Sequence, residues 1–303
     1  MGDIVHTFPS LTLIKNKFPE SNIHWLVDKN FSSLVKTHPY VDNILTVEIR
    51  KLKKYFYNYH YYLRFIVFII KNYNRKYDLI LDFQGLFKSA LLSLIFKGVR
   101  VGFASSNAKE PVSMIYSNTY SMKKKLHAVE KNLSLTCQHL KVPNKIYEYY
   151  PDCHFEFDSK IDKNILFITC ASKIKKKWHI NGWKELLGFF LKKNFHVFFT
   201  AGNNNELNYV NQIKSDSNCT ILFNEDLLKV IEKLKSMHLV IGLDTGLTHA
   251  SNALGIPTVG LFINSSPALT GLFGNKNSLN LLSNLDYKKD SLEILNFYKQ
   301  IYK

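Results

Sequence analysis

The stretch "LVIGLDTGLTHASNALGIPTVGLF" (239–262) constrains this chain more than any other. Leu239 to Leu243 read as an apolar strand. The run delivers Asp244, Thr245 and Gly246 into a tight loop. A helix starts directly after, and a second apolar run, Ile256 to Phe262, returns. Strand, loop, helix and strand in so short a span argue for an α/β fold. The first amides of that helix lack intrahelical partners and carry the positive end of its dipole, which makes the loop a ready anion site. Gly246 would let a diphosphate approach the backbone closely. Thr245 adds a hydroxyl, and Thr248 and His249 lie in the first helical turn, within reach of the same ligand. The alternative is that Asp244 or Thr245 merely caps the helix.

The same alternation surrounds this unit. Strand "ILFIT" precedes "CASKIKKKWHINGW", so its lysines lie at the carboxyl edge of the sheet, where ligands of doubly wound proteins bind. Lys176, two residues before Trp178, can reach a phosphate. Strand "FHVFFTAG" leads into "NNNEL", where Glu206 is placed to accept hydrogen bonds from ribose hydroxyls, or else is a first-turn acid favoured by the helix dipole. Together the three loops supply base, ribose and diphosphate contacts for one nucleotide. There is no Gly-x-Gly-x-x-Gly and no Walker motif, which argues against a dinucleotide enzyme or a P-loop ATPase.

The first half repeats the theme. The opening "MGDIVHTFPSL" reads as a loop running at once into a helix, with Ile4, Val5, Phe8, Leu11 and Ile14 on one face and an end at Phe18-Pro19. "NIHWLVD" alternates as a strand does, "YDLILDFQG" reads as a buried parallel strand, "LFKSALLSLIF" as a helix and "GVRVGF" as a further strand. Between about residues 140 and 164 the pattern loosens, as in an interdomain linker. The expected organisation is residues 1–150, 151–285 and a closing helix at 286–303. Two Rossmann-like doubly wound domains would then enclose a cleft.

Composition enters through charge. The 303 residues carry a formal net charge of +16. That suits an anionic membrane surface, a phosphorylated substrate or nucleic acid, or reflects a general bias toward Lys, Asn and Ile. Two clusters stand out, "RKLKKYFYNYHYY" (50–62) and "SKIKKKW" (172–178). The longest apolar run, "LRFIVFII", is too short to span a bilayer. The first residues lack a basic region followed by an apolar core, so no secretory signal is expected. Cys137, Cys153, Cys170 and Cys219 form no Cys-x-x-Cys, so neither a zinc site nor a disulfide framework is expected, and a reducing cytoplasm is the simplest setting.

In "MGDIVHTFPSL", "DFQGLFKSA", "AKEP", "HAVEKN", "KKKWHINGW" and "DTGLTHASNALGIPTVGLF" the chain resembles the bacterial lipopolysaccharide heptosyltransferases of glycosyltransferase family 9. The resemblance runs the length of the chain and is nearest to the heptosyltransferase I branch. It implies a GT-B fold and an inverting transfer of heptose from ADP-L-glycero-β-D-manno-heptose to Kdo of Kdo2-lipid A. It implies Asp3 as catalytic base and Ala171, Ser172, Lys176, Glu206, Asp244, Thr245, Gly246 and His249 at the donor. Arg50, Lys53, Lys54, Lys88 and Lys109 would meet the acidic acceptor. Several of these are lysines where the family has arginines, which keeps the charge and loses the bidentate fork. His127 and Glu130 fit a structural role. No metal and no cofactor are implied, and the protein would sit peripherally on the cytoplasmic face of the inner membrane. In the family a strand precedes the "MGD" loop. The expectation is therefore a start upstream of Met1, with a shortened form as the alternative. The other functional readings are a heptosyltransferase II-like enzyme and a catalytically impaired nucleotide-sugar-binding relative. A nucleic-acid-binding protein is suggested by charge alone, and no nucleic-acid partner is expected.

Overall fold

The computed structural model describes residues 1–49, 57, 59–123, 125–143, 147–150, 163–171, 177–215 and 218–302. It divides into two compact units, one of Met1–Val5 with Tyr149–Lys303 and one of His6–Glu148. The first five residues therefore group with the second half of the chain. The closing helix Tyr287–Ile301 belongs to the same unit, because Ile294 is buried in its core and Tyr298 packs on it.

That larger unit is a six-stranded sheet with the strands β6 (Asn164–Ile168), β7 (His196–Ala201), β8 (Cys219–Phe223), β9 (Leu239–Leu243), β10 (Thr258–Phe262) and β11 (Ser278–Leu282). Their spatial order is β11-β10-β9-β6-β7-β8, and every pairing is parallel. The chain winds outward from β6 to β8, then returns to lay β9 against the other side of β6. Strand order thus reverses between β6 and β9, the point where open α/β sheets bind ligands outside their carboxyl ends.

Strands β6, β9 and β10 are buried at every residue, which is why, after Asn164 and Thr258 at two of their starts, they read as apolar runs. Helix Ile180–Lys192 packs Trp183, Leu186, Leu187 and Phe190 onto them, at spacings that keep one face inward. The helices are started by side-chain caps. His179, Asn203, Asp226 and Asp286 each accept a backbone N–H of the first turn.

The smaller unit holds two parallel sheets, β1 (His24–Asp28) with β2 (Asn43–Val47), and β3 (Lys76–Leu81), β4 (Lys97–Phe103) and β5 (Asn118–Tyr120) in that order. The single buried sheet expected there is present, among the described residues, as these two parts. Among the described residues strand β3 pairs with β4 at one side only and is half buried, although its sequence reads as a buried parallel strand. The opening segment is two helices, Gly2–Val5 and Phe8–Lys17, broken at His6-Thr7, and Phe18 ends the second as expected. Helix Phe8–Lys17 packs on helix Ala128–Leu140, where Asn132 Nδ2 donates to His6 O at 3.2 Å and Thr7 Oγ1 at 3.0 Å.

Candidate active site

At the reversal point, β9 ends in Leu243 and the backbone N–H of Asp244 donates to Leu261 O at 3.0 Å, holding the loop to β10. Thr245 is the N-cap of helix Gly246–Ala253, its side chain accepting from Thr248 N. Thr248 is fully buried and donates to Leu243 O at 2.6 Å, so the first helical turn is tied back to the strand. This requires Gly242, since a Cβ there would lie 2.4 Å from Thr248 Oγ1. Asp244 Oδ1 and His249 Nε2 are 3.2 Å apart, and both side chains are nearly enclosed. An Asp and a His fixed on each other at the head of a helix offer an acceptor and a donor of fixed direction to a polyhydroxylated or phosphorylated ligand.

The opening turn completes this surface. Helix Gly2–Val5 packs against helix Gly246–Ala253, with Ile4 and Val5 buried and Asp3 exposed. A Cβ on Gly246 would lie 2.2 Å from Met1 Cβ. The glycine therefore accommodates Met1 at the position where the sequence suggests a diphosphate. The packing seats the short helix that carries Asp3 against the helix that carries His249 and follows Asp244 and Thr245. No periodicity in the sequence announces it, because the contact joins residues about 245 positions apart.

The loops after β6 and β7 flank the same edge. Ala171 packs on the core beside β6, and Ser172 and Lys176 lie outside the described residues. Burial pushes the Cys170 thiol up, its bond to Thr169 opposing and the Glu206 carboxylate reinforcing that direction. Glu206 Oε2 accepts from Gly202 N at 2.8 Å and Oε1 from Asn203 Nδ2 at 3.0 Å, while Asn203 Oδ1 accepts from Glu206 N. Glu206 is thus a reciprocal partner of its helix cap, the alternative its position allowed.

The loop is anchored further on by Trp178. This residue is 2% exposed, meets Trp183 edge to face at 5.1 Å and donates from Nε1 to Asp290 Oδ2 at 2.8 Å. Gly182 makes room for it, since a Cβ would lie 2.5 Å from the ring. Tyr209, its hydroxyl pKa pushed up to about 12 chiefly by burial, donates to Trp178 O and lies 4.8 Å under Lys177 Nζ. Within the "KKKWHINGW" motif, Trp178, Gly182 and Trp183 therefore serve core packing. Asp290, in the closing helix, is a partner that sequence reading misses.

In the smaller unit, the loops after β3 and β4 are joined. Gly85, with φ +59°, accepts from the backbone N–H of both Lys109 and Glu110 at 3.1 Å. Glu110 in turn accepts from Phe87 N at 2.5 Å, capping helix Phe87–Ser93. Buried Asp82 accepts from Gln84 N at 2.8 Å and from Tyr116 Oη at 2.8 Å, and burial, with the Asp82 carboxylate second, raises the Tyr116 pKa. Lys88 and Lys109 are both exposed at this edge. Lys131 donates to Asn107 O at 2.6 Å and lies 4.4 Å from the Phe103 ring. Its ammonium pKa is lowered, first by burial and then by Lys109. His127 and Glu130 form a capping box at the start of helix Ala128–Leu140, the structural role expected of them. Arg50, Lys53 and Lys54 lie outside the described residues. Among the described residues, no group of three or more His, Cys, Asp or Glu could hold a metal ion.

Comparison with known proteins agrees with this architecture. The model of glycosyltransferase family 9 (heptosyltransferase) matches residues 69–300. Lipopolysaccharide heptosyltransferase 1 of Salmonella typhimurium strain LT2 is 28% identical over 281 residues, covering 90% of this chain and 89% of that protein. The structure of Escherichia coli heptosyltransferase WaaC with ADP superposes with a TM-score of 0.88 at 26% identity, covering 98% of this chain and 97% of that one. Escherichia coli ADP-heptose lps heptosyltransferase II shares the fold, with a TM-score of 0.72 at 19% identity over 100% of this chain and 97% of that one. With a family model spanning most of its length, this chain belongs to glycosyltransferase family 9, the heptosyltransferases, and is a glycosyltransferase of α/β, GT-B type.

Proposed function

We propose that this chain moves L-glycero-D-manno-heptose from ADP-heptose to Kdo of Kdo2-lipid A, with inversion at the anomeric carbon. The observation that supports the reading is the packing of the short helix that bears Asp3 on helix Gly246–Ala253, which bears His249 and is capped by Thr245. Asp3 accepts the proton of the acceptor hydroxyl as that oxygen attacks the anomeric carbon. The bond from that carbon to the diphosphate oxygen breaks, and ADP leaves with its electron pair. The amides and dipole at the head of helix Gly246–Ala253 stabilise the departing charge, with Lys176 as the added cation. Asp244, held by His249, orients sugar hydroxyls. Ala171 and Ser172 border the nucleotide, and Glu206 exchanges its loop amide bonds for the ribose. No metal ion takes part in this reading.

On the other unit, Lys88 and Lys109, with Arg50, Lys53 and Lys54, meet the Kdo and lipid A acids. The acceptor is a lipid, so the enzyme works peripherally at the cytoplasmic face of the inner membrane, on an anionic surface. The test is mass-spectrometric detection of transfer from ADP-heptose to Kdo2-lipid A and, separately, to an already heptosylated acceptor. A heptose added only to the first supports the proposal. Addition only to the second makes the chain a heptosyltransferase II-like enzyme, and no addition to either marks an impaired relative.

A further inference from the structure

Helix Tyr59–Asn72 is apolar on the wrong side. Its inward face is ordinary, with Phe65 and Phe68 lining, together with Val47 and Tyr61, a cavity of about 170 Å³ against β2. The opposite face carries Tyr59, Leu63, Ile66, Val67 and Ile70 at spacings of three and four, with Tyr73 just beyond the helix end. Val67 is 61% exposed and Ile70 71%. A monomer in water gains nothing from such a strip, and contiguous exposed apolar surface of this kind marks an interface. At 14 residues the helix is about 21 Å long, and no described helix is long and apolar enough to cross a membrane.

Charge selects the occupant. From residue 49 to residue 77 the sequence contains no Asp or Glu, yet it holds Lys and Arg throughout. Lys71 and Lys76 are exposed beside the strip, Arg75 lies 5.7 Å from the Tyr77 ring, and Arg64 donates to Glu48 Oε2 at 3.1 Å. A second copy of the chain would bring the same cations together and be repelled. An anionic bilayer meets both demands, burying the apolar strip at the acyl boundary while its headgroups pair with the cations and the tyrosines sit at headgroup depth. We propose that helix Tyr59–Asn72 is the membrane-docking element of this enzyme, lying in the plane of an anionic lipid surface with Leu63, Ile66, Val67 and Ile70 inserted. The choice of a bilayer rests on the lipid acceptor proposed above, whereas the surface itself rests on the exposed strip and its cations.

The experiment uses the full chain and large unilamellar vesicles of phosphatidylglycerol mixed with phosphatidylcholine, with pure phosphatidylcholine as control. Sedimentation should show binding to the anionic vesicles and much weaker binding to the neutral ones. The double variant Val67→Asn/Ile70→Asn should bind about tenfold less, with its melting temperature unchanged because both side chains already face water. A Val67→Trp variant should show a blue-shifted emission component, absent from the parent chain, on anionic vesicles only. Equal binding by the parent and the double variant would overturn the proposal, as would no binding by the parent. A dimer of the parent that the double variant disperses, without vesicle binding, would overturn it in favour of a second copy. Heptose transfer to a soluble, delipidated Kdo acceptor separates the two readings. Transfer without vesicle binding removes only the docking surface, and vesicle binding without transfer to any acceptor removes only the proposed reaction.

Discussion

The loops after β6 and β9 differ in construction from those after β3 and β4, although both pairs leave the carboxyl edge of a parallel sheet. Around β6 and β9 the loops are held by buried side chains. Trp178 reaches Asp290, Thr248 reaches Leu243, and Asp244 and His249 hold each other. After β3 and β4 two backbone bonds to Gly85 join the loops, side-chain bonds of Asp82, Glu110 and Lys131 hold them in place, and Lys88 and Lys109 are left exposed. The first arrangement suits a small anionic ligand that must be gripped in one pose. The second presents charge to a large, acidic partner without enclosing it. Donor and acceptor, as proposed here, make those two demands.

Substitutions can break or sharpen this contrast. Trp178→Ala should have the largest effect on stability, about 3–5 kcal/mol, because it empties a core site and leaves Asp290 short of a donor. Urea unfolding measures the loss, and a change below about 1 kcal/mol would mean that the loop is not anchored there. Gly85→Val comes next, at about 1–2 kcal/mol, since φ is +59° and the new Cβ meets Ala108 Cα at 3.2 Å. It should raise the acceptor KM and leave ADP affinity alone. An equal loss of ADP affinity would dissolve the distinction between the two pairs of loops.

Tyr116→Phe removes the hydroxyl donated to buried Asp82 and should cost about 1–2 kcal/mol in the same unfolding experiment, again with donor affinity unchanged. Glu206→Gln should be the mildest for folding, because the side chain is half exposed and an amide oxygen can still cap the loop. Calorimetry should show ADP binding weakened by about three- to tenfold if the carboxylate meets the ribose. Unchanged affinity would leave Glu206 as a helix-start acid alone.

The same contrast explains what was legible in the sequence. Strands β6, β9 and β10 have neighbours on both sides and are buried throughout, so apart from Asn164 and Thr258 at their starts every residue is apolar or glycine and the run declares itself. A cap at Asp244 or Thr245 and a structural role for His127 and Glu130 were legible too, since both follow local spacing, but the capping box itself is seen only in the structure. Strand β3 misleads because its apolar residues stay half exposed in a sheet of three. Strand β11 and the short helix Pro267–Thr270 were not anticipated, the run "SLNLL" being short and only partly buried. Met1 on Gly246, Asp290 under Trp178 and Asn132 on the opening segment are contacts across long sequence separations, which no local pattern encodes. The outward face of helix Tyr59–Asn72 was visible only as a run too short to span a bilayer. Which side it shows to water is decided by the strand it packs against.

The central claim is that Asp3, carried on the turn seated against helix Gly246–Ala253, is the base of a heptosyl transfer. The direct measurement is kcat of Asp3→Ala with ADP-heptose and Kdo2-lipid A, alongside the rise in melting temperature that ADP-heptose produces. The account predicts that kcat falls by about 10²–10⁴-fold while the donor-induced rise is kept, since the residue acts on the acceptor proton. Turnover within a few-fold of the parent, or loss of the donor-induced rise together with turnover, would contradict it.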